Sequence, residues 1–208
     1  MFFNIFKKKK DDSEEKWLSK KAFTLIEIIV VVFIILTLSV IVVFNYEWGG
    51  YQITLSQSAN KLAQNFRKAE GMAQSYAEIE GNIPKGYGLN FDLAENTHYI
   101  IFGDMDGDGL YNPAAGDFEI EDIALEEGVE ISACEIDTSG MSEPPGFGGA
   151  DINIVFEPPD PVVSIKDQSG GTASTAVITL RSAKTDDTVR VHVNILGLIQ
   201  VQEIVPSG

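Results

Sequence analysis

The sequence contains one cysteine and two histidines among 208 residues, and basic residues are few. Because Cys134 is alone, no intramolecular disulfide can form, and an exported part of this chain has to rely on its hydrophobic core. Its 15 Lys and Arg stand against 31 Asp and Glu, which gives a net charge of −16. Nucleic-acid binding needs clustered Lys and Arg, so this composition argues against it. With 44% hydrophobic residues, the chain also falls outside the disordered and collagen-like classes.

The groups that enzymes use for catalysis are sparse and scattered. His98 and His192 fall in different predicted strands, and no third metal ligand has a suitable spacing to them. Cys134, in the run ISACEID, has acidic neighbours and no nearby base, an environment that disfavours a reactive thiolate. The glycine-rich runs at residues 107–109 and 146–149 are not accompanied by the lysine, or by the strand and helix, of a phosphate-binding loop. The sequence therefore predicts a protein that is not an enzyme.

Charge and hydrophobicity divide the chain into segments. Residues 1–22 carry seven lysines and four acids, a net charge of +3, whereas residues 23–208 carry −19. The apolar run AFTLIEIIVVVFIILTLSVIVVF, residues 22–44, separates the basic start from the acidic body. As a helix it would extend roughly 33 Å, enough to cross the hydrocarbon of a bilayer. We expect a membrane-spanning helix; the alternative, a buried core helix, normally shows a polar stripe.

The flanks of this run indicate its orientation and its fate. Lysines precede it and none follows directly after Phe44, so the N-terminus is predicted to be cytoplasmic and the body to lie outside. A cleaved secretory signal has similar hydropathy, but this run is too long for one. The following NYEWGGYQ also offers no clear small-x-small cleavage site. We therefore expect the helix to remain on the mature protein.

Glu27 is an acidic residue within this apolar run. A carboxylate inside a spanning helix costs on the order of 2.5–3.5 kcal/mol on insertion scales, so it usually has a partner. Residues 23–44 contain no Lys, Arg or His. The partner must come from another chain or from a newly formed N-terminus, unless the side chain extends to the membrane interface.

The residues around Glu27 resemble the processing signal of type IV prepilins and type II secretion pseudopilins. The run KKAFTLIE, residues 20–27, leads directly into the long apolar stretch. In that family a membrane aspartyl protease cuts between a small residue and Phe and then methylates the new amine. The resemblance implies cleavage between Ala22 and Phe23, methylation of Phe23 and a role for Glu27 in assembly. Ala22 stands where most members have Gly, and the 22-residue leader is longer than is common in the family.

Cleavage would also supply a counter-charge for Glu27. The cut exposes an ammonium at Phe23, and opposite charges attract more strongly in a low-dielectric environment than in water. We therefore hypothesise that the amine of one subunit neutralises Glu27 of its neighbour and so fixes their axial register.

An amphipathic pattern follows the apolar run. Apolar residues recur at spacings of four and three: Leu55, Ala59, Leu62, Phe66, Ala69, Ala73 and Tyr76. We expect this face to pack against a sheet, with a coiled-coil partner as the alternative. In the pilin family the same arrangement forms one long helix, and residues 58–75 are similar to the corresponding helix of H-type minor pseudopilins.

Beyond Gly81 short alternating runs separated by turn residues predict β-strands. The candidate strands are residues 87–91, 98–102, 118–125, 129–133, 152–156, 176–180, 189–195 and 198–204. The last two flank Gly197 and are typical of a hairpin. Residues 138–150 and 167–175 are rich in Gly and Ser and are predicted loops. The fold class is therefore α+β, a long N-terminal helix packed on an antiparallel β-sheet head.

The run DMDGDGLYN, residues 104–112, resembles a calcium-binding loop of the EF-hand type. Its candidate ligands are the side chains of Asp104, Asp106, Asp108 and Asn112 and the backbone carbonyl of Leu110. Position 12 is Ala115, where a bidentate Glu is expected, and Asp117 or Glu119 could substitute for it. The alternative is an acidic β-turn. We expect a structural Ca²⁺, because three alternating aspartates repel one another without a counter-ion.

Together these patterns predict four segments: a cytoplasmic leader (1–22), a membrane and filament-core helix (23–44), its amphipathic continuation (45–80) and a β-rich head (81–208). The expected function is that of a structural pilin or pseudopilin subunit, of the minor kind. Its expected partners are prepilin peptidase, other pilins, the inner-membrane assembly platform and, before assembly, membrane lipid. The rival interpretation is a singly anchored extracytoplasmic domain that binds calcium or another ligand and does not polymerise. A secreted enzyme would require cleavage beyond Phe44.

Overall fold

A computed structural model describes residues 24–137, 151–159, 162–202 and 205, with the side chains of residues 44–49 excepted. The predicted processing residues Ala22 and Phe23, and the predicted loop 138–150, lie outside the described residues. The chain divides into two units, one that ends at Val43 and one that begins at Phe44. Helix α1, Leu25–Ser75, contributes to both.

The first unit contains the apolar part of α1. Its 19 residues, Leu25–Val43, are long and apolar enough to cross a membrane, and none of them is buried. The hydroxyl of Thr37 donates to the carbonyl of Phe33 (3.1 Å), and that of Ser39 donates to Ile35 (2.7 Å). These hydroxyls are therefore satisfied by the helix itself, as a low-dielectric environment requires.

The amphipathic part of α1 belongs to the second unit and follows the predicted stripe for most of its length. Fully buried on it are Leu55, Ala59, Leu62, Phe66, Ala69 and Ala73. Lys61, Gln64, Arg67 and Lys68 are exposed, as the pattern predicts. This face packs into a hydrophobic core that also contains side chains from the β-sheets.

Tyr76 is an exception to the stripe, since its side chain is 47% exposed. The helix ends at Ser75, and Tyr76 takes the left-handed conformation (φ 48°) that usually follows a helix end. The backbone N–H of Ala77 donates to Met72 (3.0 Å) and that of Tyr76 to Ala73 (3.3 Å), the paired bonds of a Schellman motif. The chain therefore leaves the helical path before the periodicity can bring Tyr76 into the core.

Nine strands follow the helix in the described part of the chain. They are β1 (Gly86–Phe91), β2 (His98–Asp104), β3 (Phe118–Ala124), β4 (Val129–Asp137), β5 (Ile152–Glu157), β6 (Val162–Asp167), β7 (Thr175–Ser182), β8 (Thr188–Asn194) and β9 (Ile199–Val201). A 3₁₀ turn, Pro113–Ala115, lies between β2 and β3. Eight of these strands correspond to predicted runs, and β6 was not predicted.

The strands form two antiparallel sheets. One has the order β3-β2-β1-β5-β6, and the other has the order β4-β7-β8-β9. The rings of Phe66 on α1 and Phe91 on β1 have centroids 5.9 Å apart, and Tyr99 on β2 lies 5.6 Å beyond Phe91. The α+β class is therefore confirmed, with two antiparallel sheets in the head.

Strand β3 is the outer strand of the five-stranded sheet and is strongly acidic. Glu119, Glu121 and Asp122 are exposed along it. Lys68, on the exposed side of α1, forms an ion pair with Glu121. Both side chains are about half exposed, so this pair adds little to stability.

Candidate functional site

The aspartate loop begins at Asp104, the last residue of β2, and is shaped by two glycines. Gly107 (φ 82°) and Gly109 (φ 74°) adopt left-handed conformations that other residues rarely take. Their backbone N–H groups donate to the carboxylate of Asp104, at 2.6 Å and 2.9 Å respectively. The glycine spacing thus wraps the loop around the side chain of Asp104.

This turn brings three of the predicted ligands together. Carboxylate oxygens of Asp104, Asp106 and Asp108 all lie within 4.8 Å of one another. Calcium ligands lie at about 2.3–2.6 Å from the ion, so oxygens on opposite sides of it are about 5 Å apart. Three oxygens with this spacing fit around one hard cation. Asp104 is buried, whereas Asp106 and Asp108 are exposed, so the group is open to solvent on one side.

The environment of Asp104 disfavours its negative charge. Burial raises the pKa of this carboxyl above its ordinary value, while the hydrogen bonds from Gly107 and Gly109 lower it. The nearby carboxylates of Asp117 and Asp106 raise the pKa further. A cation in the loop would act in the opposite direction and stabilise the ionised form.

Asn112 and Asp117 have structural roles at the base of the loop. The Asp117 carboxylate accepts the backbone N–H groups of Met105 (2.9 Å) and Asn112 (2.8 Å). The Asn112 side chain accepts from Ala114 N–H (3.1 Å) and caps the 3₁₀ turn, which contains Ala115. Asp117 is not part of the three-carboxylate group. The second half of this loop therefore departs from the EF-hand pattern.

Two lysines that the sequence reasoning missed hold the outside of the loop. Lys85 Nζ donates to the backbone carbonyl of Asp106 (2.6 Å), and Lys166 Nζ donates to that of Asp108. Both come from distant positions, one just before β1 and the other on β6. Because the sequence does not predict β6, it also does not predict that Lys166 lies next to the loop. Their ammonium groups offset part of the negative charge of the loop.

Glu27 lies in the first turn of α1 and is exposed. Its backbone N–H donates to the Thr24 hydroxyl (3.3 Å), so Thr24 caps the helix. Thr24 and Glu27 have the spacing of a capping box, which gives TLIE a second, purely structural interpretation. In the part of the chain that the structure describes, Glu27 forms no ion pair with a basic side chain.

The groups with catalytic potential are not members of the three-carboxylate group. Cys134 is buried in β4, and burial, with smaller effects from Asp151 and Glu135, raises the pKa of its thiol to about 12. His98 lies 3.1 Å from Glu95, and His192 lies 3.3 Å from Gln202 on the surface. The Cys134 thiol is therefore protonated at neutral pH.

No protein-family model matches the chain, and no curated protein or solved structure is significantly similar to it.

Proposed function

We propose that this chain is a non-enzymatic subunit of a type IV pilus or a type II secretion pseudopilus, of the minor kind. Prepilin peptidase cuts between Ala22 and Phe23 and methylates Phe23. Before assembly, the apolar part of α1 holds the protein in the inner membrane, with its N-terminus in the cytoplasm and its head outside. The subunit then enters an extracytoplasmic filament through the same helix.

The observation that carries this proposal is an exposed carboxylate at the start of an exposed apolar helix. No residue of Leu25–Val43 is buried by the rest of the described chain, so this apolar surface needs lipid or other helices around it. In either environment an unpaired Glu27 is unfavourable. An amine released at Phe23, four residues upstream, supplies the missing charge in a neighbouring subunit.

The geometry of the hydroxyl groups supports the transfer from lipid to filament. Thr37 and Ser39 bond within their own helix, so the segment needs neither water nor partner side chains for them. Neighbouring apolar helices can replace lipid chains with no loss of burial. Within Leu25–Val43, Glu27 is the one charged side chain, which makes it suited to set the register.

The substitution Glu27→Gln tests the charge pairing separately from the capping box. Glutamine serves in a capping box as glutamate does, so the helix start is retained while the charge is lost. We expect normal cleavage and methylation at Phe23, read by mass spectrometry of the mature N-terminus. Incorporation into filaments should fall about ten-fold or more, the equivalent of about 1.4 kcal/mol.

The matched control is Thr24→Ser, which keeps the hydroxyl that caps the helix and leaves the charge of Glu27 in place. We expect this variant to assemble like the unaltered protein. Normal assembly of Glu27→Gln would refute the charge pairing. A purified protein that still begins at Met1 would refute processing and favour the singly anchored domain that does not polymerise.

We also propose that the aspartate loop holds a structural Ca²⁺. The spacing of the three carboxylates supports this site, and so does the mutual repulsion of carboxylates held this close together. An ion there would tie Asp106 and Asp108 to Asp104 at the end of β2 and stabilise the folded head. Calorimetry that detects no heat on calcium addition, together with no change of Tm in a chelator, would refute this site.

A further inference from the structure

A groove of about 510 Å³ lies beside the aspartate loop on the described part of the head. Its lining includes Asn90 at the end of β1, Tyr111 from the loop, and Asp151 and Asn153 at the start of β5. Its volume lies within the range of small-molecule sites. No Lys or Arg is among the lining residues.

Two asparagines form the floor of this groove and leave hydrogen-bonding capacity unused. Asn90 and Asn153 are directly paired across β1 and β5. The Oδ1 of Asn153 accepts from Asn90 Nδ2 (3.0 Å) and from the backbone N–H of Tyr111 (3.0 Å). Asn153 is only 2% exposed, and among the described residues its Nδ2 donates no hydrogen bond, although this atom is not fully enclosed. Asn90 Oδ1 is likewise unpartnered there, so the floor offers one donor and one acceptor.

The rim adds carboxylates and an aromatic ring. The carboxylates of Asp92 and Asp151 lie close enough to interact, and burial followed by the charge of Asp92 raises the pKa of Asp151. The ring of Tyr111 packs against Phe102, with centroids 5.1 Å apart, so its position is fixed. The groove therefore combines strong acceptors, an amide donor and an aromatic side chain on a rigid sheet.

We propose that this groove binds a neutral saccharide. A sugar hydroxyl both donates and accepts, so adjacent hydroxyls can donate to Asp151 or Asn90 Oδ1 and accept from Asn153 Nδ2. An anionic ligand is disfavoured by Asp92, Asp151 and Glu95 and by the lack of a lining Lys or Arg. A simple cation would satisfy the carboxylates but, having no acceptor atom, would make no use of the Asn153 Nδ2 donor.

This inference concerns the head alone and holds whether or not the chain polymerises. It gives the head a recognition role in addition to a structural one. Failure of saccharide binding would leave the charge pairing of Glu27 untouched, and the reverse is also true.

The test uses the full chain in a detergent without a sugar headgroup, such as lauryldimethylamine oxide. Glucose, galactose, mannose and N-acetylglucosamine are the neutral probes, and glucuronate and putrescine are the charged ones. Saturation-transfer NMR detects contact, and titration calorimetry gives Kd. We expect at least one neutral sugar to bind with a Kd on the order of 1 mM or tighter.

The variant Asp151→Asn should weaken that binding about ten-fold, because it replaces a charged acceptor by a weaker one. The matched control is Glu127→Gln, which removes one negative charge in the turn between β3 and β4 and should leave binding unchanged. Asn153→Asp removes the Nδ2 donor while keeping the oxygen that accepts from Asn90, and should also weaken binding; its fold is checked by circular dichroism. Absence of binding by all four sugars, binding of putrescine or glucuronate alone, or equal affinity in Asp151→Asn would overturn the proposal.

Discussion

Replacing Asp106 by Asn should change the stability of the head in opposite directions with and without calcium. The carboxylates of Asp104, Asp106 and Asp108 lie within 4.8 Å of one another. At that distance two unit charges repel by about 0.9 kcal/mol in water. Asp106→Asn removes two of the three repulsive pairs, and its amide oxygen can still accept the backbone N–H of Asp108 (3.0 Å). The turn itself should therefore persist.

The expected gain in the absence of calcium is modest. Solvent screening and the ammonium groups of Lys85 and Lys166 reduce the repulsion that the substitution relieves. We expect about 1 kcal/mol, or an increase in Tm of roughly 2–4 °C for a domain of this size. With calcium at about 100 times Kd, the unaltered protein gains about 2.7 kcal/mol, roughly 5–11 °C. The variant should lose most of that gain because it lacks one anionic ligand.

Differential scanning calorimetry of the full chain in detergent, with EDTA and with calcium, measures both effects. Glu127→Gln is the matched control, since it changes the net charge equally in the turn between β3 and β4. It should leave the calcium response unchanged. A lower Tm for Asp106→Asn in EDTA would refute the repulsion argument. An undiminished calcium response in that variant would refute the ion site.

Three further outcomes follow from the burial of Asp104 and Phe66. Calcium should raise Tm less at acidic pH than at pH 7, because the ion must displace the proton of Asp104, whose folded-state pKa is raised; an equal response at both pH values would contradict this. In EDTA the pH dependence is the reverse, because the raised pKa makes Asp104 stabilise the folded head when it is protonated. Its contribution to the free energy of unfolding is fully present below the ordinary pKa of 3.8 and is lost as pH rises through the raised folded-state pKa. Phe66→Ala should lower the free energy of unfolding by about 3–5 kcal/mol, since this fully buried ring packs 5.9 Å from Phe91. Arg67 is the exposed neighbour of Phe66, and Arg67→Ala should change the free energy of unfolding by less than about 0.5 kcal/mol. Denaturant titration of both variants measures these changes, and a similar loss in both would contradict the packing of Phe66.

Local patterns in the sequence predicted most of the elements but not their arrangement. Periods of two and of three to four identified eight strands and the buried face of α1, because these faces pack against a core. Strand β6 was missed because prolines 158, 159 and 161 precede it and a glycine-rich stretch follows, and both favour a loop. Its position at the edge of a sheet explains how a strand tolerates this context. The division into two sheets depends on long-range pairing, such as β1 with β5, that no local pattern contains.

The two candidate sites differ in how far the sequence predicts them. The aspartate loop is local, so the spacing of Asp104, Asp106 and Asp108 was sufficient to bring them together. The groove proposed to bind a saccharide depends on the register that sets Asn90 opposite Asn153, residues separated by three other strands along the chain. No spacing rule links them.

The acidic outer strand β3 affects how these heads can be stacked. A strand from another molecule that paired with it would strip water from Glu119, Glu121 and Asp122, so this edge resists uncontrolled sheet extension. In the filament proposed above, these carboxylates would repel those of neighbouring heads, and salt would screen that repulsion. Dilution from 0.15 M to 0.01 M salt lengthens the screening distance from about 8 Å to about 30 Å. The proposed filaments should consequently loosen on desalting, so their cohesion should depend on the ionic strength of the medium.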